Sequence, residues 1–257
     1  MKHLILPVVV VLMISTAAFA GHPLVTDDTG TQGKEKGQVE IGLSFYHDKN
    51  KLDEVTTDIT EGGETSFAVA VGLTEKLDIV LGIPYLWYTQ DQNDTRIARE
   101  SGMGDITFDA KWRFFEKDGW SLAVKPGITF PSGSEDKGLG AGRTAYRMFL
   151  VGTKELEPLT IHVNAGYILN ENSADEHKDI WHASAAAEVE VIKDLKLLAN
   201  IGRERNPDKA SENHPAFALA GISYNVSKKT TLDAGVKYGL TATETDWTIL
   251  TGLTFHF

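Results

Sequence analysis

The stretch DWTILTGLTFHF, residues 246–257, places an apolar or β-branched side chain at every second position from Trp247 to Phe257. The positions between them are mostly polar or small, among them Thr248, Gly252 and His256. Successive side chains of a β-strand point to opposite faces, so this stretch has one apolar and one polar face. A helical repeat of about 3.6 residues does not fit the pattern. The sequence therefore predicts a long amphipathic strand at the end of the chain.

The same alternation recurs from Gly37 onward. It marks twelve segments: 37–49, 62–73, 77–90, 101–115, 120–132, 142–154, 159–171, 179–192, 195–206, 214–226, 230–241 and 244–257. Each has about ten residues or more, the length that a tilted strand needs to cross a bilayer. We therefore predict an all-β fold over 37–257, a transmembrane antiparallel up-and-down β-barrel of twelve strands.

The connections between these segments alternate in length. Short polar turns lie near 74–76, 116–119, 155–158, 193–194 and 227–229, and longer polar loops lie at 50–61, 91–100, 133–141, 172–178 and 207–213. Short turns on one side and longer loops on the other are typical of bacterial outer-membrane barrels. An even strand number places both termini on the short-turn side, so we expect the N- and C-termini in the periplasm.

Alternation alone does not tell whether the apolar face points outward, because a soluble β-sandwich alternates equally well. Aromatic residues of the apolar face, however, cluster at strand ends, as in the interfacial girdles of membrane barrels. They are Tyr85, Trp87, Trp181, Tyr238 and Trp247 near the long loops, and Trp120 and Phe257 near the short turns. The final Phe257 also resembles the terminal signal that the barrel-assembly machinery reads. These features predict the outer membrane of a Gram-negative bacterium, with membrane lipid and lipopolysaccharide as surroundings.

The first twenty residues have the features of a cleaved signal peptide. Lys2 precedes an apolar run over 4–13, and Ala18-Phe19-Ala20 is a small-x-small cleavage site, so we expect the mature chain to begin at Gly21. The chain has no cysteine, and its 36 acidic residues against 25 Lys and Arg give a formal net charge of −11. This balance argues against a nucleic-acid partner, because binding to phosphates needs positive charge.

Residues 21–36, between the cleavage site and the first strand, show no periodicity. Two interpretations stay open for this N-terminal segment: it hangs in the periplasm, or it folds into the barrel as a small plug.

The polar faces of the strands are expected to line a lumen that a small-molecule solute could cross. The candidates are Asp105, Asp109, Lys111, Arg113, Lys125, Arg143, Arg147, His162, His182, Glu188, Glu190, Arg203 and Lys237. The charges at 105–113 could form a constriction that orients a solute, or a salt-bridge ladder that only pairs buried charges. His162 and His182 lack a third ligand, so we predict no metal site and no cofactor. Ser184 and His182 fall on the polar face, which argues against a lipid-facing hydrolase, and we predict no catalytic residues.

Several motifs resemble those of a known family. The opening HPLVTDDTGT of residues 22–31, followed by Gly37-Gln38-Val39-Glu40, is similar to the start of the outer-membrane family named for the meta-pathway of phenol degradation. Gly102-x-Gly104-Asp105 and Phe130-Pro131-Ser132-Gly133 resemble it too. The resemblance implies an outer-membrane transporter and brings no catalytic or substrate residues with it.

Together these observations predict a channel for passive passage of small solutes, with hydrophobic or aromatic compounds as a narrower option. A non-conducting scaffold barrel that holds a periplasmic partner is the alternative, and a membrane lipid hydrolase is a third.

Overall fold

The structure is a computed structural model that describes residues 21–51 and 57–257. The predicted signal peptide, residues 1–20, lies outside the described residues. The strands are β1 (Gly37–Lys51), β2 (Thr57–Thr74), β3 (Leu77–Gln92), β4 (Thr95–Met103), β5 (Ile106–Lys117), β6 (Trp120–Phe130), β7 (Ala145–Leu156), β8 (Leu159–Leu169), β9 (Asp179–Ile192), β10 (Leu195–Glu204), β11 (Ala216–Ser227), β12 (Thr230–Gly239) and β13 (Trp247–His256). A short 3-10 helix spans Glu135–Lys137. No helix in the described part of the chain is long and apolar enough to span a membrane.

The strands close into one antiparallel barrel. β1 pairs with β13 from Gln38↔His256 to His47↔Trp247, and the other strands pair with neighbours along the chain. Closure gives hydrogen-bond partners to the backbone N–H and C=O groups of β1 and β13. A bilayer requires this because lipid offers no such partners. The predicted all-β barrel is therefore confirmed.

The structure has twelve barrel strands plus one extra strand, which arises at the predicted segment 101–115. β4 and β5 both pair with β3, through Tyr85↔Met103 and Gly82↔Thr107, with a one-residue shift between them. At this break Asp105 accepts hydrogen bonds from the backbone N–H groups of Gly133 and Ala141 (2.9 and 2.8 Å). The carboxylate thus fixes the loop over 131–144 at the point where the strand is interrupted.

The prediction of a long loop at 91–100 is wrong. β3 and β4 form a hairpin whose two turn residues, Asn93 and Asp94, have positive φ angles of 47° and 61°. Asn and Asp tolerate this conformation, which a tight two-residue hairpin requires. The polar composition of the stretch resembled a loop, although its residues continue the two strands.

The apolar faces point away from the barrel interior. Ile41, Trp112 and Ile249 are 43%, 52% and 48% exposed, whereas Glu40, Lys111 and Thr248, their neighbours in sequence, are buried. A water-soluble barrel would show the opposite arrangement. The outer surface is therefore suited to lipid, and the interior holds the polar side chains.

Candidate functional site: the lumen and the N-terminal segment

The N-terminal segment lies inside the barrel and is anchored at the short-turn end. The backbone N–H of Glu35 donates to the carbonyl of Gly72, and the N–H of Gly72 donates to the carbonyl of Lys36 (3.1 and 2.9 Å). A Cβ on Gly72 would lie 1.9 Å from the carbonyl oxygen of Gly33, so the close approach requires glycine there. Thr31 Oγ1 also donates to the carbonyl of Glu75 (2.9 Å).

From this anchor the segment runs along the inner face of the barrel wall. Its backbone N–H at Gln32 donates to Asp78 on β3 (2.9 Å), and its N–H at Thr29 donates to Thr153 Oγ1 on β7 (3.2 Å). Further along, Asn200 on β10 accepts from the N–H groups of Val25 and Thr26 (2.7 and 3.1 Å).

Side chains of the segment complete these contacts. Asn200 Nδ2 donates to Thr26 Oγ1 (2.6 Å), and His22 contacts Asp233 on β12. Strands on all sides of the lumen therefore hold one short segment that has no regular secondary structure.

The segment is packed as tightly as a protein core. Thr26 and Asp27 are each 1% exposed, and Leu24 is 6% exposed. Leu24 belongs to an apolar cluster inside the otherwise polar lumen, together with Ala186, Leu198, Phe217 and Leu219. The lumen thus contains a polar and an apolar region that the segment covers.

The carboxylate of Asp27 bridges two buried lysines from different strands. Its Oδ2 is 2.7 Å from Lys125 Nζ on β6, and its Oδ1 is 3.3 Å from Lys111 Nζ on β5. Burial by itself raises the pKa of the Asp27 carboxyl, but the two ammonium groups outweigh it and hold that pKa below its usual value. Asp27 lies in the N-terminal segment, outside the membrane-spanning strands, so it is the segment that supplies this counter-charge to the wall.

Several other inward charges are paired within the wall. Arg147 donates two hydrogen bonds to Asp109 (2.8 and 2.6 Å), and both side chains are buried. Glu188 accepts from Lys196 (2.7 Å). Such pairing is what desolvated charges require.

Three further lumen candidates, His162, Arg113 and Lys237, also have local partners. Glu188 lies 3.5 Å from His162 Nε2, and Arg113 lies 3.4 Å from Glu116. Lys237 donates to Glu244 (2.8 Å). Charges at 105–113 therefore contact the N-terminal segment, loops or neighbouring strands, and Asp105 binds loop backbone instead of facing open lumen.

Three of the predicted lumen residues lie elsewhere. Arg203 is exposed on the outer face, because β10 buries its even-numbered residues Leu198 and Asn200 and turns its odd-numbered residues outward. Arg143 is exposed in the loop before β7. Glu190 is exposed at the short-turn end, where it accepts from the N–H of Asp194 (3.1 Å).

The residues of the predicted aromatic girdle lie on the outer face. Tyr85, Trp120, Trp181, Tyr238, Trp247 and Phe257 are exposed by 38–61%. Trp87 is half-buried, with its ring centroid 5.8 Å from that of Phe45 in an edge-on contact.

His182 and Ser184 are closer to a reactive arrangement than the sequence indicated. His182 Nε2 is 3.0 Å from Ser184 Oγ, and His182 Nδ1 is 3.2 Å from Glu204 Oε2. This is the order of groups in a serine–histidine–carboxylate triad. Both His182 and Ser184 are buried, and the backbone of β9 around them pairs with β8 and β10. The strand N–H groups are therefore committed to the sheet instead of forming an oxyanion hole.

Sequence reasoning missed Leu24, Asp27 and Glu204. Glu204 faces inward beside an outward Arg203, so a strict two-residue phase on β10 would have found it. The presence of two inward lysines, Lys111 and Lys125, on adjacent strands was the available signal for Asp27, because such charges need a counter-ion when buried.

Comparison with known proteins supports the same fold. A family model described as "Putative MetA-pathway of phenol degradation" matches residues 20–257. An outer membrane channel from Pseudomonas putida F1 is 14% identical, with a TM-score of 0.70 over 90% of this chain and 98% of that chain. The NanC porin is 10% identical (TM-score 0.54, 85% and 98% coverage). The translocator domain of the autotransporter NalP from Neisseria meningitidis is 12% identical (TM-score 0.57, 88% and 90% coverage). A comparison with curated proteins gives no match. At these identities the likenesses establish the fold, and the chain is an outer-membrane β-barrel.

Proposed function

The chain belongs to the family of the MetA-pathway of phenol degradation, and from this premise we propose that it is an outer-membrane channel for passive passage of small solutes. Membership confirms the resemblance in the opening residues 22–31. In this proposal the N-terminal segment is a plug that must withdraw, at least in part, before solute passes.

The observation that carries the proposal is the way the N-terminal segment is held. Hydrogen bonds and ion pairs to inward side chains, such as those of Asn200 and Lys125, hold it in the lumen, and the peptide chain tethers it to the barrel only where it enters β1 at Gly37. A twelve-strand barrel is wider than the eight-strand barrels whose interior wall side chains can fill, so departure of the segment would leave space in the lumen. A tethered segment that docks through non-covalent contacts suits a passage that opens.

The proposal includes an orientation and surroundings. Both termini and the short turns face the periplasm, and the long loops face outward. Phe257 serves as the signal for the barrel-assembly machinery, while lipid and lipopolysaccharide contact the outer surface. The mature chain starts at Gly21 after removal of the signal peptide.

Conductance in planar lipid bilayers tests the proposal. The mature protein and a variant that lacks residues 21–31 are compared, the variant keeping the anchor at Gln32–Lys36. We expect the deletion to raise single-channel conductance severalfold, because the lumen loses its filling. As a matched control, Glu212→Gln in an exposed loop should leave conductance unchanged. If neither protein conducts ions or admits solute into liposomes, the channel is refuted and the scaffold alternative, a barrel that holds a periplasmic partner, takes its place.

A narrower form of the proposal concerns the solute. The apolar cluster around Leu24 would be uncovered when the segment withdraws, and it could accept a hydrophobic or aromatic group. Liposome uptake of phenol compared with glycerol tests this preference. Equal rates for molecules of similar size would exclude a role of the cluster in selection.

One observation favours a second candidate, hydrolysis of an ester inside the lumen. The contacts of His182 with Ser184 and Glu204 provide a nucleophile, a base and an orienting carboxylate. Hydrolysis of a small water-soluble ester, p-nitrophenyl acetate, by the plug-deleted protein, lost on Ser184→Ala, would establish it. Equal background rates in both proteins would reject it.

A further inference from the structure

We infer that Lys111 and Lys125 form a carboxylate-binding site on the permeation path, which Asp27 occupies in the plugged barrel and a solute carboxylate occupies after withdrawal. This inference rests on the proposed channel function and adds the chemical class of ligand: a small monocarboxylate.

The geometry is that of a bound carboxylate. Each lysine takes a different oxygen of Asp27, at 2.7 Å for Lys125 and 3.3 Å for Lys111. The lysines come from the adjacent wall strands β5 and β6, whereas the carboxylate comes from the N-terminal segment. The wall therefore holds the two cationic groups in place, and the anion is the exchangeable part.

The two lysines differ in their other partners. Lys111 also lies 3.8 Å from Asp28 and lines a pocket together with Asp78 on β3. Among the described residues, the ion pair found for Lys125 is the one with Asp27, and Lys125 is 1% exposed. The nearby carboxylate of Asp109 is bound in two hydrogen bonds by Arg147. Withdrawal of the segment thus removes the counter-charge of Lys125.

A buried ammonium without a partner is strongly unfavourable, so an anion of suitable shape gains affinity from entering. A carboxylate reproduces the two-oxygen contact that Asp27 makes, whereas an amide of the same size offers one neutral acceptor. The site therefore distinguishes benzoate from benzamide by charge rather than by shape.

Isothermal titration calorimetry of the detergent-solubilised mature protein tests this with benzoate and benzamide as probes. In Asp27→Ala we expect benzoate to bind at least about tenfold more tightly than benzamide, because charge-assisted hydrogen bonds are roughly twice as strong as neutral ones. Wild-type protein should bind neither measurably. Asp28→Ala is the matched control, since it removes the neighbouring acid and leaves Asp27 in place, and it should behave as wild type.

Removal of the cationic group identifies the site. In Asp27→Ala/Lys125→Met the preference for benzoate should be lost, whereas its survival overturns the inference. Equal binding of both probes to Asp27→Ala overturns it as well. If Asp27→Ala does not fold, the same measurements are made on Asp27→Asn, which keeps the side-chain volume.

Ion selectivity separates this inference from the channel proposal. In a salt gradient, the reversal potential of Asp27→Ala should shift toward anion preference relative to Asp28→Ala. A conducting but unshifted Asp27→Ala refutes the carboxylate site and leaves the channel intact. Absence of conductance even after deletion of 21–31 refutes the channel itself.

Discussion

Replacement of Asp27 by Asn should release the N-terminal segment from the lumen. The substitution keeps the size of the side chain but removes the charge that Lys125 and Lys111 share. Breaking a buried ion pair by removing one partner costs about 3–5 kcal/mol. Lys111 retains Asp28 and Asp78 nearby, so we take the lower end, about 3 kcal/mol. This reduces the ratio of docked to undocked segment by roughly 150-fold.

Thiol labelling measures this ratio because the natural chain has no cysteine. Thr26 is 1% exposed, so Thr26→Cys should react with a water-soluble maleimide only when the segment leaves its place. When opening and closing are faster than the thiol reaction, the labelling rate should rise by the same factor, about 150-fold, when Asp27→Asn is added. Asp28→Asn in the same Thr26→Cys protein is the control and should change the rate less than about threefold, because surface pairs contribute little.

The result that refutes the reasoning is a labelling rate within twofold of the parent protein, with the barrel shown to be folded by its heat-modifiable migration on gels. In that case the charge pair would not hold the segment, and the backbone contacts to Asn200 would have to carry the docking alone.

Three further predictions concern the anchor, pH and the wall. Gly72→Ala should raise conductance, because its Cβ would lie 1.9 Å from the carbonyl oxygen of Gly33 and displace the anchor; an unchanged conductance would show that the segment tolerates the shift. The docked Asp27 has a lowered pKa, so its contribution to docking is fully present above the usual aspartate pKa of about 4 and is lost as pH falls through the lower docked value. Burial by itself lowers the pKa of the His22 imidazole in the same segment, but the contact with Asp233 outweighs burial and raises that pKa, so protonation of His22 strengthens docking as pH falls from 7. Labelling of Thr26→Cys, measured with an acid-tolerant thiol reagent, should therefore not increase between pH 7 and about pH 5 and should rise only below about pH 4; a rise near pH 6 would contradict this. Arg147→Met should destabilise the barrel by about 3 kcal/mol in urea unfolding, because it strands a buried carboxylate, whereas outward-facing Arg203→Met should change stability by less than about 1 kcal/mol; equal effects would contradict the assigned faces.

The sequence by itself determined the barrel. Two-residue alternation such as that over 246–257 fixes which side chains share a face, because the strand period does not depend on distant residues. Short turns such as Lys193–Asp194 were likewise predictable, since turn residues act locally. The same rule, applied without a break in phase, would have placed Arg203 outward and Glu204 inward.

Tertiary structure decided the features that depend on distant contacts. The break between β4 and β5 follows from the binding of Asp105 to the loop over 131–144. Its partners there, Gly133 and Ala141, lie 28 and 36 residues further along the chain. Asp27 reaches Lys111 and Lys125 across separations of 84 and 98 residues. The aperiodic segment 21–36 carries no local signal for its place, because its conformation is imposed by the wall that surrounds it. Its position in the lumen depends on the closed barrel, which places the strands that carry Lys111, Lys125 and Asn200 around it.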